Sequence, residues 1–87
     1  MKLYYVYMVR CADNSLYTGF ALDPERRAAV HNSGKGAKYT RSRLPVRLVY
    51  TESYETEHEA RSRECQLKKL THAAKEQLIV QKFGQNP

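Results

Sequence analysis

Residues 3–21 read Leu3-Tyr4-Tyr5-Val6-Tyr7-Met8-Val9-Arg10-Cys11, then Ala12-Asp13-Asn14-Ser15, then Leu16-Tyr17-Thr18-Gly19-Phe20-Ala21. An aromatic and β-branched run, a cluster of turn formers and a second such run predict two strands joined as an antiparallel hairpin. Loop length sets the register. A two-residue turn at Asp13-Asn14 pairs Tyr7 with Phe20 and Tyr17 with Arg10, so the two tyrosines face opposite ways. A three-residue loop, Asp13-Asn14-Ser15, pairs Tyr7 with Ala21 and Cys11 with Tyr17 and puts Tyr7 and Tyr17 on one face. A bulge in either strand does the same. Asn14 tolerates positive φ in either turn, so local sequence leaves the choice open.

Outward from the hairpin, Asp23-Pro24-Glu25 opens a helix: Asp23 caps, Pro24 suits the first position and Glu25 complements the positive helix end. It should stop near Asn32-Ser33-Gly34. Residues 33–45 read as a basic loop ended by Pro45, and Val46 to Thr51 as a third strand. Thr56 and Glu59 form a capping box for a helix running to about Leu70. Thr71 caps a last helix with Ala74, Leu78, Ile79 and Phe83 apolar and Gly84 as its stop. The order ββαβαα predicts an α+β fold, a small three-stranded, mainly antiparallel sheet flanked by helices, over a single domain spanning residues 1–87.

The chain has 87 residues, 41% of them hydrophobic and 28% charged, which excludes a disordered class. No apolar run approaches the roughly 18 residues of a membrane span, and the first residues lack the apolar core of a signal peptide. The two cysteines, Cys11 and Cys65, have no C-x-x-C spacing, so neither a structural zinc site nor a disulfide framework is expected. A cytoplasmic protein with reduced thiols is the expectation. Net charge is +6, and it is uneven: residues 1–43 carry eight basic and three acidic groups, the remainder seven and six. The stretch from Arg26 to Arg43 holds Arg26, Arg27, Lys35, Lys38, Arg41 and Arg43 with no acid. A one-signed patch of this kind attracts polyanions by releasing their counterions. A merely solvated basic surface is the alternative.

Candidate chemistry lies on the predicted helices and strands. At helical spacing, Ala60, Leu67 and Leu70 form an apolar stripe, with Glu64 inside it. A carboxylate there needs either a salt bridge, with Arg27, Arg61 or Arg63 available, or a cation to bind. Arg27 and His31 stand i, i+4 and share a face, whereas adjacent Arg26 and Arg27 diverge. Seven tyrosines are present, and Tyr7 and Tyr17 sit centrally in their strands. Core aromatics are the ordinary reading, but a phenol near a cation can also handle a proton or a water. His58 and His72, near predicted helix starts, read as exposed; Cys11 reads as a strand-end core residue, and Cys65 has no assigned role.

Tyr5-Val6-Tyr7, Tyr17-Thr18-Gly19, Arg27, His31, the run His31-Asn32-Ser33-Gly34-Lys35-Gly36-Ala37-Lys38-Tyr39-Thr40, and Glu64 in a later Arg-x-x-Glu follow one another in order. The combination resembles the GIY-YIG nuclease superfamily, above all its small single-domain bacterial members, over roughly Tyr4 to Ile79. Tyr5 stands where the family name has Gly, and Thr18 where it has Ile. The asparagine that some members carry near the end has no counterpart, and the separate DNA-binding modules fused to larger members are lacking, which leaves the substrate and any targeting protein partner open.

The resemblance implies an enzyme, a metal-dependent endonuclease or exonuclease hydrolysing nucleic-acid phosphodiesters, DNA above RNA, in repair or recombination. Glu64 is then the ligand of Mg²⁺ or another divalent cation such as Mn²⁺, and Arg27 the phosphate fork. Tyr7 or Tyr17 activates or orients water, and His31 assists or steadies the phosphate. Lys35, Lys38, Tyr39, Arg41 and Arg43 form the nucleic-acid-binding loop, with Lys38 and Tyr39 nearest the chemistry. A non-catalytic nucleic-acid-binding module that keeps the fold, and a protein-interaction adaptor, are the competing readings. The first has no need of an inward Glu64, the second no need of an acid-free basic stretch.

Overall fold

In a computed structural model of the chain, residues 2–84 are described, with side chains through residue 82. Three strands, β1 (Tyr4–Arg10), β2 (Leu16–Ala21) and β3 (Arg47–Tyr54), form one antiparallel sheet in the order β2-β1-β3. The helices are α1 (Pro24–Asn32), α2 (Lys38–Arg41), α3 (Glu57–Lys68) and α4 (His72–Gly84). The expected ββαβαα order holds, with α2 as an added single turn inside the basic loop.

β1 is the central strand, and Val6, Tyr7, Met8 and Val9 are all essentially buried. That is why its sequence is apolar on successive rather than alternate positions: helices cover both faces. On one face Val6, Met8, Leu16 and Tyr50 pack with Ala60 and Leu67 of α3 and Ile79 of α4. On the other, Tyr7, Val9, Cys11 and Ala21 pack with Ala28 of α1 and Val46.

The hairpin loop has an odd number of residues, as a shared face for Tyr7 and Tyr17 requires, but it is displaced from Asp13-Asn14-Ser15. Cys11 and Ser15 close it through Cys11 N–H to Ser15 carbonyl at 2.9 Å, leaving Ala12, Asp13 and Asn14 as the loop. Asn14 takes φ 70°, and the Asp13 carboxylate accepts from both the Ser15 N–H and its hydroxyl. Those bonds tie Ser15 to the start of β2 and shift the register by two residues from the expected one. Tyr7 therefore lies opposite Gly19 and Val9 opposite Tyr17, with Tyr7 and Tyr17 on the α1 face. β3 extends beyond the expected Val46 to Thr51 and carries one extra residue at Val49, where pairing steps from Met8–Tyr50 to Val9–Leu48.

The helix starts follow their sequence signals. The Asp23 carboxylate accepts from Arg26 N–H at 3.1 Å, with Pro24 in the first turn. The Thr56 hydroxyl accepts from Glu59 N–H, while the return arm of Glu59 lands on that hydroxyl rather than on a backbone donor. Thr71 caps α4 through Ala74 N–H. α3 ends at Lys68 because the chain turns at Lys69, and Leu70, expected on its apolar stripe, is 37% exposed. α4 is tied to the sheet by two 2.7 Å bonds from Arg10 to Glu76. The expectation placed on the Phe83 side chain lies outside the described residues.

Candidate active site

Tyr7 projects from the middle of β1 toward α1, where its ring lies across β2. A Cβ on Gly19 would come within 2.5 Å of the phenol oxygen, so glycine opposite Tyr7 is what lets the ring pass. The phenol oxygen ends 2.8 Å from His31 Nε2. His31 is fully buried, and its Nδ1 lies 2.8 Å from the Thr40 hydroxyl. Gly36 packs against the imidazole so closely that a Cβ would collide with the ring. Tyr17, half-buried on the same face, presents its ring edge-on to His31 at 5.4 Å between centroids, and stacks on Tyr39 at 6.0 Å.

Arg27 and His31 share a face of α1, as their spacing predicts. Burial raises the Tyr7 phenol above its ordinary value; the Arg27 guanidinium, acting as a donor on the phenol, pulls the other way, and Tyr17 and Glu64 push further up. Burial pushes the His31 imidazole down, and the Arg27 charge adds to the effect. The pair is thus a neutral phenol facing a neutral imidazole. Arg26, by contrast, is exposed. Tyr7, Tyr17 and His31, from β1, β2 and α1, come together on the α1 face, and the charges of Arg27 and Glu64 act on the Tyr7 phenol.

Glu64 departs from expectation in its partner. It sits on α3 between fully buried Ala60 and Leu67, with its side chain 15% exposed, but it pairs with Lys68 at 3.0 Å and with none of the three arginines. Arg63 is instead turned to Glu52, and Arg61 pairs with Glu57 while lying over the Phe20 ring. Among the described residues no three His, Cys, Asp or Glu side chains converge, so Glu64 belongs to no such cluster. A largely buried carboxylate that already accepts the Lys68 ammonium suits Mg²⁺, which keeps most of its waters and takes further ligands from phosphate.

Of the predicted loop residues, Lys35, Lys38 and Arg41 are exposed, and Tyr39 is 41% exposed. Arg43 differs. Its guanidinium lies 3.9 Å over the Tyr39 ring and is paired with Asp13 at 3.0 Å. The acid absent from the Arg26–Arg43 stretch is supplied by the hairpin loop. Tyr39 reaches the site through Tyr17. His58 and His72 are exposed as expected, Cys11 is buried and Cys65 exposed. Thr40 and Gly36 were missed as site residues. Both stand in the run quoted above, and the one signal for Thr40 was a β-branched residue among polar loop neighbours.

The sequence profile of the GIY-YIG catalytic domain matches residues 3–77. The chain belongs to the GIY-YIG family. Within it, the chain is 48% identical over 81 residues to a UPF0213 protein of Natronomonas pharaonis, covering 93% of this chain and 95% of that one. It is 50% identical over 82 residues to a UPF0213 protein of Staphylococcus aureus, covering 94% of this chain and the whole of the other. The solution structure of a UPF0213 protein from Bacillus halodurans is similar, with a TM-score of 0.61 and 47% identity over 95% of this chain and 88% of that one. The solution structure of the protein EF2693 from E. faecalis is also similar, with a TM-score of 0.65 and 43% identity over the full chain and 93% of that one. The GIY-YIG fold here places Tyr7 of Tyr5-Val6-Tyr7 and Tyr17 of Tyr17-Thr18-Gly19 on one face. No described helix is long and apolar enough to cross a membrane.

Proposed function

We propose that this chain, acting as one GIY-YIG domain, is a divalent-metal-dependent nuclease of the cytoplasm that cleaves DNA phosphodiesters, selecting by DNA structure in repair or recombination. The observation that carries this reading is the bond from the Tyr7 phenol to His31 Nε2 at the point where Arg27 and Glu64 also act. Arg27 grips the scissile phosphate with its planar fork. Glu64, paired here with Lys68, would hold the cation, Mg²⁺ or Mn²⁺. A bound divalent cation supplies Lewis-acid relief of the charge that builds on the phosphate oxygens.

Tyr7 is the better candidate of the two tyrosines for the proton. As the water oxygen bonds to phosphorus, its proton passes to Tyr7 Oη while the Tyr7 proton moves to His31 Nε2; the phosphorus–oxygen bond to the leaving group breaks, and that oxygen takes a proton from solvent. Tyr17 holds His31 and Tyr39 in place by its ring. Lys35, Lys38 and Arg41 hold phosphates away from the reacting bond, and Tyr39 with Arg43 borders it.

The test is cleavage of end-labelled single-stranded, duplex, flap and branched DNA, and of RNA, with Mg²⁺, Mn²⁺ or chelator. Cleavage is expected with either metal only. Glu64→Ala is expected to lower it by at least about 100-fold, the scale of removing one transition-state electrostatic contact, with binding kept. A wild-type chain that binds these substrates but cuts none would leave a non-catalytic binding module.

A further inference from the structure

Thr40 is the one fully buried side chain of α2, whose other residues, Lys38, Tyr39 and Arg41, are all exposed. A threonine turned inward from a one-turn helix has little apolar surface to bury, so its hydroxyl is the reason to look there. That hydroxyl lies 2.9 Å from the Ala37 carbonyl, to which it can donate, and 2.8 Å from His31 Nδ1. Resting on the nuclease reading above, we propose that Thr40 is a positioning residue that holds His31 with its proton on Nδ1, leaving Nε2 open to accept the proton of Tyr7.

Two sets of contacts on the ring bear on its tautomer. The first comes from Tyr7. Its oxygen is buried, and its hydrogen-bond partner among the described residues is His31 Nε2, with the Arg27 guanidinium as the nearby charge. A guanidinium only donates. The phenol proton therefore has Nε2 as its acceptor, and a neutral imidazole that accepts on Nε2 carries its proton on Nδ1.

The second comes from the far side of the ring. An unprotonated Nδ1 has a single in-plane lone pair, which the Thr40 hydroxyl at 2.8 Å and the Ala37 N–H at 3.3 Å would have to share. A protonated Nδ1 instead gives the short contact a defined direction: Nδ1–H donates to Thr40 Oγ1, and the Thr40 hydroxyl donates to the Ala37 carbonyl. Ala37 is half-buried, and its N–H, which points at Nδ1 at 3.3 Å, has to turn from the ring in this arrangement. The chain Tyr7 to His31 to Thr40 to the Ala37 carbonyl then has one proton per bond. Gly36 holds the ring against rotation, since only a residue without Cβ fits at its edge. A third group that orients a histidine by its distal nitrogen, and so makes the other nitrogen the base, follows the logic of catalytic triads, with a neutral hydroxyl in place of a carboxylate.

The experiment is a long-range proton–nitrogen correlation of the histidine rings in the full ¹⁵N-labelled chain, for the parent, Thr40→Val and Thr40→Ser, with His31 assigned against His58 and His72. The parent and Thr40→Ser are expected to show His31 with a protonated Nδ1 and a pyridine-type Nε2. In Thr40→Val, Nδ1 loses its oxygen acceptor and faces the Ala37 N–H, so the proton is expected to move to Nε2. Should Thr40→Val not fold, Thr40→Ala carries the same expectation. A parent ring protonated on Nε2, or a Thr40→Val or Thr40→Ala ring with the parent pattern, would overturn the assignment. In the cleavage assay, kcat of Thr40→Val is expected to fall by about 10-fold or more, up to the 10²–10⁴ that general acid–base catalysis contributes, with KM nearly unchanged and with Thr40→Ser restoring the rate. A parent that cuts nothing would remove the nuclease reading, while the ring spectrum would still decide the tautomer.

Discussion

The two faces of the sheet bury polar groups in opposite ways. On the α3 face the carboxylate of Glu52 is closed off by its complements: Tyr50 and Tyr54 donate their hydroxyls to it, and Arg63 adds two bonds. Burial alone would raise that carboxyl, yet those bonds hold it below its ordinary range. Burial, with Glu52 beside it, pushes the Tyr54 phenol up to about 12. On the α1 face the buried groups are a phenol, an imidazole and a hydroxyl, joined by single hydrogen bonds with no carboxylate among them, and Arg27 at their edge. A closed set of charges steadies a fold. A chain of neutral groups beside a guanidinium keeps protons able to shift and leaves a cation free for an anion, which is what a site for phosphate chemistry needs.

The strongest test of that contrast is a pair of substitutions. Leu67→Ala, in the fully buried heart of the α3 face, is expected to cost about 2–5 kcal/mol in denaturant unfolding and to leave the rate per folded molecule near the parent's. Arg27→Lys should do the reverse: little change in stability, with binding kept and cleavage largely lost, because an ammonium cannot reproduce the two-pronged grip on phosphate. If Leu67→Ala removed activity at full folding, or Arg27→Lys unfolded the chain, the division between the faces would fail.

The loop sharpens the picture next. Neutralising exposed Lys35, Lys38 and Arg41 is expected to reduce the log–log salt slope of DNA binding by roughly 0.7–0.9 per contact removed. Arg43→Gln should change it less, since Asp13 already neutralises that guanidinium. An unchanged slope in the triple variant would show the loop to be only a solvated surface.

A smaller effect is expected from pH. His31 sits below its ordinary 6.5, for burial first and the Arg27 charge second, with Tyr7 and Tyr17 as its other ring neighbours. The unfolded chain then binds a proton that the folded chain resists. The stability this contributes is complete above about pH 6.5 and is lost as pH falls toward the folded-state value, at no more than about 1.4 kcal/mol per pH unit. Equilibrium unfolding between pH 7.5 and 5 should show that decline, and His31→Gln should flatten it.

The smallest is on the α3 face, where Thr18 is buried with its hydroxyl unpartnered among the described residues. Thr18→Val keeps the β-branched shape and removes the orphaned group, so a gain of about 1 kcal/mol is expected in thermal or denaturant unfolding. A loss would mean that the hydroxyl has a partner in solution.

Much of this molecule was legible because the deciding interactions are local. Asp23, Thr56 and Thr71 cap helices through neighbours three residues away, Arg27 and His31 share a face one helical turn apart, and the apolar runs place the strands. What escaped was set by partners distant in sequence. Asp13 reaching Arg43 and Arg63 turning to Glu52 each depend on how α3 and the basic loop are laid against the sheet. The hairpin shows the boundary between the two: the need for an odd loop followed from asking two tyrosines to share a face, while the identity of its three residues followed from Asp13 bonding Ser15.

The sequence by itself determined the α+β architecture, the family, the shared face of Arg27 and His31 and the basic character of the loop, since periodicity, capping and charge are properties of short stretches. Only the tertiary structure decided that the Tyr7 ring crosses β2 at Gly19, that Thr40 turns inward to His31 and that Arg43 is spent on Asp13. The physical reason is that a hydrogen bond or a close packing contact is resolved at the scale of an ångström, and its partners come together only when elements separated along the chain have docked.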